Sequence, residues 1–348
     1  MACHADLDEA SAGIGATVYG QKITQEIVRK ILHGSETLVF KPNYSDFAGK
    51  YERAGKLMSI NRQSQPLFIL GTQRSGTTLL ARILSSHKDI FIQNEISVEK
   101  VFEGVNDPAK MLSLMDVQIQ ERHGDSLEDV LQKEGKSVWG VKDPELTYHL
   151  EKLEQFIPES KMLLILRDGR GVVNSYMENK WGLGTNAYTG AIRWKEEVEQ
   201  LLDFAERHKE QVLVVRFEDL ITGMEAELRR ICSHFGVEFD PEMLKYDKKK
   251  AMFKENPHNV NTNKAPDITL AEKWQSRLSP REVGIIEYVA GDTLKAHGYE
   301  LAGEKVCPSA IERAYYLVHQ KIIGEIQLQW QWRRSLIRKK KKAGTSVS

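Results

Sequence analysis

The sequence predicts an α/β fold, a doubly wound parallel sheet with helices on both faces and a modified phosphate loop after its first strand. Three observations carry that expectation. Leu67-Phe-Ile-Leu70 is a short apolar run that ends in Gly71 and a turn, then opens a helical stretch at Thr77. Met162-Leu-Leu-Ile-Leu166 repeats the arrangement, ending in Arg167-Asp-Gly before another helical stretch. Val138-Trp-Gly-Val141 and Val212-Leu-Val-Val215 alternate with further helix-length segments. Short apolar runs bounded by turn residues read as buried strands. Strands alternating with helices build a parallel sheet whose ligands sit at the strands' carboxyl ends.

In chain order, residues 1–20 give no periodic signal. Ile23, Ile27, Ile31 and Leu32 then fall at helical spacing, so 1–65 is expected to be a helical extension. The main domain, 66–299, opens with a strand over 67–71 and a helix over 77–87. A short strand at 90–92 leads to the loop holding Glu95. Residues 107–135 predict a helix with Met111, Leu114, Met115 and Val117 on its apolar side. The strand at 138–141 runs into Lys142-Asp143-Pro144, and a helix over 145–157 precedes the 162–166 strand. A long helix over 187–208 precedes the strand at 212–215, which ends in Arg216-Phe217-Glu218-Asp219-Leu220. Residues 248–266 fit neither period and predict a loop over the site. Closing helices follow from Lys273-Trp274 to Tyr299, and 300–348 predicts a C-terminal amphipathic helix with a basic tail. No internal repeat is visible.

The turn after the first strand reads Gly71-Thr-Gln-Arg74-Ser75-Gly76-Thr77-Thr78, close to G-x-x-x-x-G-K-[ST]. The lysine of that pattern is Thr77 here, and the nearest cation is Arg74. A kinase or nucleotidase needs that lysine on its β/γ-phosphates and the next hydroxyl on magnesium. Backbone N–H donors, two threonine hydroxyls and a helix N-terminus still suit one phosphate-like group. A second phosphate site is expected at Arg167, at a strand's carboxyl end, with Ser175 two helical turns on and facing back toward it. The two sites lie about 90 residues apart, matching a donor that carries two separate phosphate-like groups.

R-S-G-T-T-L-L after an apolar strand resembles the 5′-phosphosulfate loop of sulfotransferases that use 3′-phosphoadenosine 5′-phosphosulfate (PAPS), and R-x7-S from Arg167 to Ser175 resembles their 3′-phosphate motif. Within that superfamily the chain looks most similar to the tyrosylprotein sulfotransferase and bacterial branch, over roughly residues 66–299. The resemblance implies that Arg74, Ser75, Gly76, Thr77, Thr78, Arg167 and Ser175 bind the donor, without a metal. It implies that Glu95, seventeen residues past Thr78, is the general base, and that Lys142 and Arg74 stabilise the transferring group. Lys264, ten residues before Trp274, matches a family lysine that reaches the nucleotide from the covering loop. Phe217 stands where the family has a tyrosine near the adenine, and Asn179 where it often has a basic residue. Plainer readings stay open: Lys142 and Lys264 as surface lysines, Glu95 as a loop carboxylate. A metal-dependent phosphotransferase and a silent nucleotide-binding or membrane-docking protein are the rival functions.

Bulk properties fit a soluble enzyme. Charged residues make up 28% and apolar ones 41% of 348, and no run of eighteen apolar residues predicts a membrane span. The acidic start lacks an apolar signal region, and Cys3, Cys232 and Cys307 read as reduced thiols, so a cytoplasmic location is expected. The ten histidines show no ligand spacing. Seven of the ten residues from Arg333 to Lys342 are basic; without them 42 of the 49 basic residues remain, against 49 acidic. The body is therefore mildly acidic, and nucleic acid is not an expected partner. A small-molecule, glycan or lipid-linked acceptor is expected instead, its identity unreadable. In the tail, Ile311, Ala314, Tyr315, Val318, Ile322 and Ile326 form an amphipathic stripe. A core-facing stripe with a solvated basic end is the first reading. Peripheral docking on an anionic membrane is the second.

Overall fold

The computed structural model describes residues 65–249, 264, 265 and 267–345. The chain divides into two units, 1–64 and 65–348, and the expected helix over 21–33 lies outside the described residues. Five strands form one sheet: β1 (Leu67–Leu70), β2 (Ile90–Asn94), β3 (Val138–Lys142), β4 (Met162–Leu166) and β5 (Val212–Arg216). All pairings are parallel, in the order β2-β3-β1-β4-β5. The helices are α1 (Thr77–Ser85), α2 (Val98–Phe102), α3 (Pro108–His123), α4 (Leu127–Glu134), α5 (Leu150–Phe156), α6 (Gly169–Asn179), α7 (Ala187–Arg207), α8 (Phe217–Thr222), α9 (Met224–Phe235), α10 (Thr269–Arg277), α11 (Pro280–Ala296) and α12 (Ala310–Thr345).

Side chains alternate across the sheet with the period of two that a strand imposes. Phe68, Leu70, Met162 and Leu164 join a core with residues of α3, α4 and α7. Leu67, Ile69, Leu163 and Ile165 join a second core with residues of α1 and α9 on the opposite face. Both faces are covered, which is why β1 and β4 read as unbroken apolar runs rather than alternating ones. From β1 the chain moves toward β2 and β3; from β4 it moves the other way, toward β5. The reversal falls between β1 and β4, where open sheets of this kind leave a crevice at the strand ends.

The expected doubly wound sheet is present, with local departures. The helix expected over 107–135 is two helices, because Gly124 turns left-handed (φ 87°) to end α3 and Ser126 caps α4 through Asp129 N–H. The helix expected over 145–157 begins as a 3-10 turn (Pro144–His149), whose first N–H, on Glu145, donates to the Asp143 carboxylate. No helix was expected at α2, α8 or α9. Residues 248–266 fall mostly outside the described residues. Among the described residues, no helix is long and apolar enough to cross a membrane.

Candidate active site

The crevice between β1 and β4 is a cleft of about 260 Å³. Arg74, Gly76, Thr77 and Thr78 line it from the first motif, and Arg167 and Ser175 from the second. Two segments 93 residues apart in sequence are joined directly. The Arg74 guanidinium donates from Nε to Ser175 Oγ at 3.0 Å, and Arg167 donates to the Arg74 carbonyl at 3.1 Å. Arg167 also donates to the Leu270 carbonyl at 2.8 Å and lies 4.5 Å from the centre of the Phe217 ring. Its Nε is buried with no hydrogen-bond partner. Burial holds the Arg74 and Arg167 guanidiniums below their usual pKa. Two adjoining, desolvated cations are most stable with an anion between them.

The loop's shape follows from its glycines. Gly76 has φ 105°, and a Cβ there would stand 2.6 Å from the Phe217 ring. Gly76 is also the N-cap of α1, and no side chain caps that helix. Its first backbone N–H groups and partial positive end therefore face the cleft, the arrangement that holds phosphate at helix N-termini. Ser75 departs from expectation. It is buried, and its N–H and hydroxyl both donate to the Thr72 carbonyl, at 3.2 and 2.7 Å. With both donors accepted inside the turn, Ser75 holds the shape of the loop.

Glu95 and Lys142 meet one another at the neighbouring strand ends. Lys142 Nζ lies 3.3 Å from Glu95 Oε1, the lysine side chain 1% exposed and the glutamate 54%. Lys142 ends β3 beside β1, and Glu95 follows β2 one strand further out. At strand spacing these are roughly 5 and 10 Å from β1 across the sheet. Glu95 is held there by force. Its φ is 59°, and among the described residues only Arg74 (72°) and Lys180 (54°) share a positive φ without being glycine. Such a backbone costs a side-chain-bearing residue about 1–2 kcal/mol, and persists only where its surroundings over-determine it. Here Glu95 N–H donates to the Lys142 carbonyl at 2.7 Å, and Ile96 N–H donates to Asp143 Oδ2 at 3.1 Å. The second Asp143 oxygen accepts Glu145 N–H at 2.9 Å. Burial pushes the Asp143 carboxyl up to about 6.

Glu95, Lys142 and Ser75 do not line the cleft, and neither does Lys264, which lies apart from the other expected site residues. Lys264 is exposed, and its contact is a carbonyl that accepts the Tyr246 hydroxyl at 2.8 Å. The lysine that lines the cleft is Lys273 of α10, paired with Glu178 of α6 at 2.6 Å. Sequence reasoning missed Lys273, Trp274, Asn174 and the role of Asp143. Asn179, whose contact was open, lines the cleft and donates to Ser175 Oγ at 3.0 Å. Trp274 stacks on Arg170, 4.1 Å from its ring centre. Arg170 is buried in turn between Asp168 and Glu287, 2.7 Å from each. A carboxylate inside an apolar helical pattern, as at Glu287, was the available signal for that network.

Residues 66–241 match the model of a protein family described as the sulfotransferase family. The chain belongs to that family, a class of transferases. A putative protein-tyrosine sulfotransferase of Caenorhabditis briggsae is 25% identical over 200 residues, 53% of this chain and 70% of that protein. Protein-tyrosine sulfotransferase A of Caenorhabditis elegans is 26% identical over 213 residues, 54% of each chain. The chain thus spans between about half and 70% of the length of these relatives. Among solved structures, the sulfotransferase domain from the curacin biosynthetic pathway is 22% identical. That match covers 69% of this chain and 100% of that domain, with a TM-score of 0.48.

Proposed function

We propose that this protein transfers a sulfuryl group from PAPS to a hydroxyl, or an amine, of a small-molecule, glycan or lipid-linked acceptor. The observation that carries the reading is the joining of both phosphate motifs in one cleft, Arg74 to Ser175 and Arg167 to Arg74. In it, the α1 N-terminus, Thr77 and Thr78 hold the 5′-phosphosulfate end. Arg167 and Ser175 hold the 3′-phosphate, and Phe217 flanks the nucleoside. Glu95 takes the acceptor's proton as the new O–S (or N–S) bond forms. The bond from sulfur to the bridging oxygen breaks, and its electron pair leaves with the 5′-phosphate. Lys142 and Arg74 supply positive charge where negative charge grows, and such bonds strengthen with that charge.

The test is binding of adenosine 3′,5′-bisphosphate, the product nucleotide, in the presence of EDTA. It is expected to raise the unfolding midpoint, stabilising by about 2.7 kcal/mol at a hundredfold excess over Kd. A shift with magnesium and ATP but none with the bisphosphate would replace this reading by phosphoryl transfer. A screen of acceptor pools with labelled donor, reading which compound gains one SO₃, identifies the acceptor.

Asp143 is a positioning residue in this scheme, since its carboxylate fixes the residue after the base. Asp143→Asn keeps the shape but cannot match both N–H bonds with a charged acceptor. A hydrogen bond to a charged group contributes about 1.5–3 kcal/mol, so kcat is expected to fall about tenfold or more. Affinity for the bisphosphate is expected to stay within twofold, because Asp143 does not line the cleft. Equal losses in both would make the role of Asp143 merely structural.

A further inference from the structure

The C-terminal helix turns an apolar stripe away from the rest of the protein. Its face toward the rest of the protein is held by polar groups. Gln320 donates to the Gly182 carbonyl at 2.7 Å and accepts Thr185 N–H at 2.8 Å. Gln327 accepts Gly182 N–H at 3.1 Å, His319 meets the Thr185 hydroxyl at 2.9 Å, and Asn186 donates to the Tyr316 carbonyl at 3.1 Å. Gly324 is buried against Gly182. These contacts fix which face of α12 looks outward. On that face stand Ile311, Tyr315, Val318, Ile322, Ile326 and Trp330, between 55% and 84% exposed. The stripe expected to face the core therefore faces away from it.

Scattered exposed apolar residues are ordinary, but a contiguous set is not. At 100° per residue the six positions fall within an arc of about 120°, running roughly 29 Å along the helix. The acids on this helix, Glu312 and Glu325, are already engaged, Glu312 by Arg281 and Ser309 and Glu325 by Gln329. Past Trp330 the helix continues to Thr345 and carries Arg333, Arg334, Arg338 and Lys339 to Lys342, with no acid after Glu325. A protein whose remaining charge is net negative thus gathers its cations at the end of its one exposed apolar arc among the described helices.

We propose that α12 is a membrane-docking element, its apolar arc seated in the headgroup region of an anionic lipid surface and its basic end bound to the acidic headgroups. An amphipathic helix with apolar and aromatic residues on one face and a cationic segment has the composition that interfacial helices use. Tryptophan favours the boundary between apolar and wet surroundings, and Trp330 stands at that boundary in the sequence. Charge decides the occupant. A second copy would add seven more cations of the same sign, whereas an anionic surface neutralises those present.

The experiment is co-sedimentation of the full chain with vesicles of phosphatidylcholine containing 30 mol% phosphatidylserine (~30%, a surface potential on the physiological order), against phosphatidylcholine alone. The protein is expected to pellet with the anionic vesicles only, and to be released by salt, which screens such contacts. The triple variant Val318→Asp, Ile322→Asp, Ile326→Asp changes only exposed positions, and is expected to cut the bound fraction at least tenfold. Removal of residues 333–348 is expected to do the same. An unchanged thermal shift with adenosine 3′,5′-bisphosphate shows that each variant is folded. Full recovery of the wild type in the supernatant overturns the proposal. So does a dimer in sedimentation velocity that the triple variant abolishes, since the arc would then be an interface between copies.

Discussion

Glu95→Gln is expected to lower kcat by about 10²–10⁴, the usual loss when a general base is removed, while leaving affinity for adenosine 3′,5′-bisphosphate intact. The substitution is isosteric, so the backbone bonds that hold position 95, from its N–H to the Lys142 carbonyl and from Ile96 to Asp143, are untouched. The cleft proposed to hold the nucleotide is lined by other residues. An amide oxygen still accepts from Lys142 Nζ, but the buried ammonium loses its counter-charge. Some loss of stability is therefore expected as well, and the thermal midpoint measures it separately. Single-turnover rates on the acceptor found by the SO₃ screen, with calorimetric titration of the bisphosphate, check both halves. Near-normal turnover removes Glu95 from the mechanism. A parallel loss of nucleotide binding would mean that the left-handed turn at Glu95 supports the whole site rather than the proton transfer.

What the sequence disclosed and what it concealed divide along contiguity. The phosphate loop, Arg74 to Thr78, and the Arg167–Ser175 unit are each a strand end, a turn and a helix start in one stretch. Local pattern therefore named six of the residues that line the cleft, Arg74, Gly76, Thr77, Thr78, Arg167 and Ser175. Their apolar strands were legible for the same reason, since a strand covered on both faces must be apolar throughout. Ser75 sits inside the legible motif, yet its donors turn inward to Thr72, a choice made by loop geometry and not by residue type. The Asp143 clamp on Ile96 joins residues 47 apart, and the Arg170–Glu287 pair joins residues 117 apart. No periodicity records such partners. Helix α12 shows the remaining limit. Its stripe was visible, but which side faced the protein depended on Gln320 and Gln327 finding the 182–185 turn. An amphipathic pattern states that two faces differ, and packing alone states which one is covered.

The buried Asp168–Arg170–Glu287 network supplies the largest expected effect on stability. Glu287 is fully buried in α11 and accepts Arg170 at 2.7 Å and Ala302 N–H at 2.8 Å. Arg170 is in turn held by Asp168, whose carboxylate also accepts the Arg170 N–H that opens α6 at 2.8 Å. Glu287→Ala leaves a buried guanidinium with one carboxylate instead of two and the Ala302 and Gly303 N–H groups without their acceptor. Removing one partner of a buried ion pair costs about 3–5 kcal/mol, which for a domain of this size lowers the unfolding midpoint by on the order of 10 °C. The physical claim lies in the comparison with a double variant. Most of the cost is the charge left behind, not the attraction lost. Arg170→Met with Glu287→Met also takes the guanidinium from Asp168 and leaves that buried carboxylate alone, so it is expected to be less stable than Glu287→Ala, in which Arg170 and Asp168 still form a neutral pair. Chemical denaturation of the three proteins, with slopes compared to confirm that each unfolds the same structure, gives the order directly. A double variant as stable as the single one would show that Asp168 is not left stranded when Arg170 is lost, and would remove stranded charge as the source of the cost.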